Sequence, residues 1–155
     1  MRVNLRIAAF AAAAWAALPA QAEIVIGASF SITGPAAALG IAPRNTMQLF
    51  PDQIGGEKVR IVVLDDATDS TGGAKNAQRL VADEKADVIV GSTASPPALA
   101  IAQVALASQT VQLAAAPIEL PEGADAFTFR LPQGIALMAE GTVAQMKKSG
   151  VKSPG

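Results

Sequence analysis

Apolar residues come in short blocks along this chain, separated by polar stretches that carry glycine or proline. Ile24–Phe30 is a short apolar run with Gly27 and Ser29 towards its end, and it predicts a first strand. Ala36–Phe50 reads as a loop and a helix, broken by Pro43 and closed by Pro51, and Gly55-Gly56 marks a turn. Val59–Leu64 (VRIVVL) is rich in β-branched residues and almost wholly apolar, the pattern of a strand buried on both faces. Thr71–Lys85 places Ala74, Ala77, Leu80 and Val81 on one helical stripe. Asp87–Val90 is a further strand ended by Gly91. Pro96–Ser108 is a helix with Ala100, Val104 and Ala107 recurring on one face. Val111–Ala115 and Phe127–Leu131 complete the strands, and Ile135–Lys148 is a helix closed by Gly150 in the C′ position.

Strand and helix therefore alternate. That order predicts an α/β fold, a Rossmann-like parallel sheet with helices on both faces. Ligands on such sheets bind beyond the carboxyl ends of the strands. The loops of interest are then Ser29–Gly40, Asp65–Gly73, Gly91–Pro97 and Ala114–Leu120.

In the first loop, the Ser31 and Thr33 hydroxyls and the backbone around Gly34 suit a polar ligand, although Gly34-Pro35 is also an ordinary turn signal. In the third, Ser95 precedes Pro96, which predicts Ser95 as a helix N-cap with proline at N1. A second reading has the free N–H groups and positive end of that helix receive a carboxylate. The two are compatible, because one hydroxyl has two acceptor lone pairs. Asp65, Asp66 and Asp69 (DDATD) match a magnesium-holding pattern of prenyl-transferring enzymes, but there the motif lies on a helix. Here it follows a strand, so a turn and capping cluster is the preferred reading, with Asp69 or Ser70 capping the next helix and Asp66 orienting a loop.

The first 22 residues alter the composition. Arg2 and Arg6 precede an alanine-rich apolar run, Ile7 to Leu18, and Ala20-Gln21-Ala22 offers small residues for cleavage. These are the three parts of a secretory signal, with cleavage expected after Ala22. The run is shorter than the ~20 apolar residues that span a bilayer. Removing Arg2 and Arg6 from 12 basic residues against 13 acidic ones takes the net charge from −1 to −3. A mildly acidic exported chain without a basic patch argues against nucleic acid as a partner.

There is no cysteine and no histidine. That excludes disulfides, the Ser–His triad, Cys–His catalysis, and thiolate or imidazole zinc sites. No G-x-G-x-x-G follows the first strand, since Gly27 and Gly34 are too far apart, and no phosphate-loop lysine motif occurs. No cofactor is expected.

At these loops the chain resembles the leucine/isoleucine/valine-binding family of extracytoplasmic solute-binding proteins of ABC importers. The similar stretches are IVIGASFSITGPAAALG, then VRIVVLDDATDSTGGAKNAQRLVADEKADVIVGSTASPPALAIA, then VQLAAAPIEL. Each motif is weak singly, but together they cover nearly all of residues 23–155 in order and spacing. The resemblance implies that Ser95 takes a ligand carboxylate, that the backbone of Ala114 contacts the ligand, and that Leu39 touches its side chain. Ala116 stands where the family usually has threonine. This departure widens the expected ligand from a branched-chain amino acid to small carboxylates such as aromatic acids. Gly40–Glu57 is shorter than the usual helix and glycine-rich turn, a compact form found in one branch of the family.

The resemblance further implies a two-lobed, type I periplasmic binding fold with an ABC permease in the inner membrane as partner. On that reading residues 1–22 are the signal, and residues 23–155 are a truncated N-terminal lobe located in the periplasm. No chemistry on the ligand is expected. Two alternatives come from other classes: a small exported Rossmann-like enzyme, and a ligand-sensing lobe of a receptor.

Overall fold

The computed structural model describes residues 23–151. Six strands form one sheet: β1 (Glu23–Phe30), β2 (Gln53–Ile54), β3 (Glu57–Asp65), β4 (Val88–Gly91), β5 (Val111–Ala114) and β6 (Thr128–Arg130). Their spatial order is β2-β3-β1-β4-β5-β6. All neighbours are parallel except β2, which pairs antiparallel with β3. The helices are α1 (Ala38–Thr46), α2 (Ser70–Ala82), α3 (Ser95–Ser108) and α4 (Ile135–Lys148). The α/β fold read from the alternation is thus the fold of the described residues.

The strand β2 is two residues long, too short to show a period, and only its turn was visible in the sequence. Gly55 and Gly56 have φ of 62° and 90°, as a two-residue hairpin of the primed type requires. Pro43 does not break α1; the helix runs through it and tightens into a 3₁₀ turn at Met47–Leu49. A proline inside a helix removes one hydrogen bond, and the short helix accommodates that loss.

The two faces of the sheet are covered unequally. On one face α2 and α3 close a core of Val25, Ala77, Leu80, Ala86, Ile89 and Ile101. On the other, Ile26, Ala28, Phe30 and Val59 pack with Met47 at the end of α1. Here Ile61, Val63, Val88 and Val90 remain half-buried. The expectation that β3 is buried on both faces is therefore corrected: Val59 is buried, whereas Arg60–Leu64 are only half so. Its outer neighbour is the two-residue β2, and α1 covers only part of the second face.

The buried face of α3 also differs from the expected one. Ala98, Ile101, Ala102 and Ala105 are buried, while Val104 is half-buried and Ala107 exposed. Nearly every position of α3 is apolar, so the sequence carries no contrast from which to choose a face. Helix α2 has that contrast, and its stripe holds: Ala77 and Leu80 are buried, with Ala74 and Val81 half-buried. Asp69 is the N-cap of α2, accepting the Gly72 N–H at 2.7 Å. Helix α4 buries none of its residues and ends with Gly150 at φ 74°, as expected of a C′ glycine. Among the described residues no helix is long and apolar enough to cross a membrane.

Candidate functional site

Strand β1 lies between β3 and β4, so the chain runs outward in opposite directions from it. A crevice beyond the carboxyl ends of such a pair is where open parallel sheets receive ligands. The loops after β1 and β4 meet there, brought level by the register Ser29↔Gly91. The amide of Ser31 donates to Thr93 Oγ1 at 3.3 Å, and the Ser31 and Ser92 hydroxyls lie 3.3 Å apart. All three residues are buried.

Ser31 is engaged on the inside. Its hydroxyl donates to Asp66 Oδ1 at 2.8 Å. Asp66 is fully buried, and it also accepts the Ser29 hydroxyl at 3.1 Å and the Thr68 amide at 3.0 Å. Thr33 is engaged at the rim: its hydroxyl donates to Asp65 Oδ2 at 2.6 Å. Asp65 Oδ1 accepts the amides of Ile32, Thr33 and Ala67. Burial alone would raise the Asp65 carboxyl. The Thr33 hydroxyl and the amides of Ala67, Thr33 and Ile32 outweigh it and hold the group below its ordinary value. The three aspartates of DDATD thus have three tasks: loop latch, buried acceptor and helix cap.

Ser95 is placed differently from the sequence expectation. The N-cap of α3 is Ala94, and no side chain caps the helix. Ser95 is the first helical residue, followed by Pro96 and Pro97. The single alanine before the serine carries no capping signal, and proline is tolerated anywhere in a first turn, so the boundary slipped by one residue. The consequence is chemical. A helix start leaves about four N–H groups unpaired. Pro96 and Pro97 have none to offer, and the Ala94 amide reaches Ser92 Oγ at 3.4 Å. The Ser95 N–H is what remains, beside a Ser95 hydroxyl that makes no hydrogen bond among the described residues. A 14-residue helix presents its positive end at the same point.

The remaining candidates divide. Leu39, on the first turn of α1, is 58% exposed and open to a ligand. Ala114 and Ala116 are both fully buried, packed with Ala98, Ala102 and Ile118. Their side chains face the interior of the fold, because alternate residues of β5 and its extension point towards α3. The Ala114 carbonyl already accepts the Leu131 amide at 2.9 Å. The Ala114 and Ala116 side chains are thus turned to the interior, and the contact that the resemblance implies at Ala114 is one of its backbone. The sequence reading missed Ser92 and Thr93, which join the two loops, and Gln112, a polar residue inside an apolar strand.

Comparison with known proteins agrees with this architecture. Residues 23–155 match the family model for periplasmic binding proteins. The Leu/Ile/Val-binding protein homolog 7 of Brucella abortus (strain 2308) is 33% identical over 135 residues, spanning 83% of this chain and 31% of that protein. An extracellular ligand-binding receptor from Rhodopseudomonas palustris superposes with a TM-score of 0.81 at 42% identity, over 84% of this chain and 36% of the receptor. The leucine-binding protein LivK of Thermotoga maritima gives 0.70 at 25% identity, over 82% of this chain and 38% of LivK.

The strand order and the paired loops define an α/β protein of the open parallel-sheet class. The chain belongs to the periplasmic binding protein family. It spans about a third of the length of the curated relatives it matches.

Proposed function

We propose that this chain is the N-terminal lobe of a solute-binding component of an ABC importer. Its solute is a small carboxylate, either a branched-chain amino acid or an aromatic acid. Residues 1–22, outside the described residues, act as the export signal and are removed after Ala22, which places the protein in the periplasm. A permease of the inner membrane receives the solute. The observation that carries the reading is the N–H and hydroxyl of Ser95, without a partner among the described residues, at the positive end of α3 beside the carboxyl ends of β1 and β4. A carboxylate supplies two acceptor oxygens for that pair of donors, and a hydrogen bond to a charged group contributes about 1.5–3 kcal/mol. Leu39 lies exposed to pack on the solute's apolar part. Ser31 and Thr33 shape the facing loop, and the backbone around Gly34 borders the crevice.

Tight small-molecule sites enclose most of their ligand. Residues 23–155 by themselves offer one wall, so weak binding is expected from that segment tested alone. A hybrid tests the full pocket: residues 23–155 replace the matching third of the Rhodopseudomonas receptor. Calorimetry with leucine, isoleucine, valine and benzoate should then show micromolar binding of at least one. A folded hybrid that binds none of the four overturns the proposal.

A further inference from the structure

Gln112 is the second residue of β5, opposite Ile89 of β4, and it is fully buried. A buried primary amide needs partners for two N–H groups and one carbonyl oxygen. Gln112 has all three. Its Nε2 donates to the Gly91 carbonyl at 2.8 Å and to the Ala98 carbonyl at 3.0 Å. Its Oε1 accepts the Thr128 hydroxyl at 3.0 Å.

The two acceptors stand at the two ends of one segment. Gly91 closes β4, and Ala98 lies in the first turn of α3. Between them lie Ser92, Thr93 and Ser95. Gly91 is itself fixed in place: its φ is 121°, and a Cβ there would meet the Ser29 carbonyl oxygen at 1.9 Å. The Gly91 carbonyl therefore has little freedom, and the amide clamp ties the start of α3 to it.

We propose that Gln112 is the positioning residue of the Gly91–Ala98 loop. By holding both ends it sets the direction in which the Ser95 N–H and hydroxyl are offered to a carboxylate. Thr128 orients the amide from β6, so the clamp also joins the loop to the strand that leads towards α4. The role in ligand capture rests on the function proposed above, while the clamp itself is independent of any ligand.

The test compares a variant that removes the whole hydrogen-bond set with one that removes only its Thr128 member. Gln112→Met keeps the volume and removes both loop contacts together with the acceptor of the Thr128 hydroxyl. Thr128→Val removes the third partner and spares the loop. In the full chain, amide exchange at Ala94 and Ala98 should quicken about tenfold in Gln112→Met relative to β1, a factor within what two lost buried hydrogen bonds supply. Thr128→Val should leave those amides within about twofold of the parent, less than the loss of one such bond. Equal exchange at these amides in the two variants overturns the proposal.

Should Gln112→Met fail to fold, the side-chain amide protons of Gln112 in the unmodified chain decide. Strongly retarded exchange of both supports the clamp, and solvent-like exchange overturns it. In the hybrid receptor, Gln112→Met should weaken carboxylate binding about tenfold and Thr128→Val should not. An unmodified hybrid that binds no carboxylate overturns the proposed function. Loss of the exchange contrast overturns the role of Gln112, so the two failures are distinguishable.

Discussion

Two hydroxyl-bearing loops leave the carboxyl end of the sheet side by side, and Ser31 and Thr33 of the first are used in the opposite way to Ser95 of the second. After β1, Ser31 donates inward to Asp66 and Thr33 donates to Asp65. After β4, Ser95 makes no such bond and heads a helix whose next two residues are prolines. In sequence the loops look equivalent: small, polar, each with a proline. The hydrogen-bond inventory separates them. A hydroxyl with a buried acceptor is part of the architecture, while one at a helix start without a partner is free to meet a ligand. If that contrast is real, changes in the first loop should appear as stability and changes at Ser95 as affinity.

The largest effect on stability is expected at Asp66. Asp66→Ala strands the Ser29 and Ser31 hydroxyls and the Thr68 amide around a buried gap. Each buried group left unpaired costs about 1–3 kcal/mol, and rotation of the hydroxyls relieves part of that. A loss of about 3 kcal/mol in urea unfolding is the expected outcome. A loss below about 1 kcal/mol, the yield of a single ordinary hydrogen bond, shows that the network is not a structural centre. Ser31→Ala removes one donor to Asp66 and the contact to Ser92, and should cost about 1–2 kcal/mol. Were Ser31→Ala neutral for stability and harmful to solute binding, the two loops would have to be regarded as equivalent.

The sheet was legible in the sequence because its strands contrast with their surroundings. Ile24–Phe30 and Val59–Leu64 are apolar blocks between polar turns, and β1 and β3 contain them. The stripe of α2 was legible for the same reason, since Lys75, Gln78 and Arg79 mark its wet side. Where contrast fails, so does the reading. In α3 apolar residues face every direction, and only packing against Ala114, Ala116 and Ile118 selects Ala98 and Ala102. The site was legible as a pair of loops but not as a set of atoms. Ser95 was one residue from its expected place, and that single step turned a cap into a free donor. Ala116 carries a family position, yet the pleat points its side chain inward. Gln112 left one signal, a lone amide among Val111, Leu113 and Ala114, which physical chemistry reads as a buried group in need of three partners.

Acid sharpens the contrast from the side of the first loop. Asp65 has a folded-state pKa below its ordinary value of 3.8, held there by Thr33 and by three loop amides against the opposing effect of burial. A depressed carboxylate stabilises the folded state above its unfolded pKa, and the contribution fades as pH falls through that value towards the folded one. The melting temperature should therefore be flat on this account near neutrality and decline below about pH 4. Thr33→Val removes the hydroxyl and should shallow that decline, leaving the neutral-pH slope unchanged. An acid profile identical in Thr33→Val and the parent shows that the latch does not hold the carboxylate.

Ser95→Ala should have the smallest effect on stability and the most telling one on function. An N-cap serine replaced by alanine costs about 0.5–2 kcal/mol. At Ser95 no cap bond exists, alanine is a strong helix former, and the hydroxyl has no partner among the described residues, so the change should lie within about 0.5 kcal/mol of zero. In the hybrid receptor the same substitution removes one of two donors to a carboxylate, and affinity should fall about tenfold or more. The pair of measurements separates the readings in a way neither does alone. A cap would lower stability with affinity following passively through population of the folded lobe, a change that vanishes wherever the lobe is fully folded. A ligand contact would lower affinity in a lobe whose melting temperature has not moved. If Ser95→Ala instead melts early and binds normally, the free hydroxyl at the head of α3 is not where the solute is held.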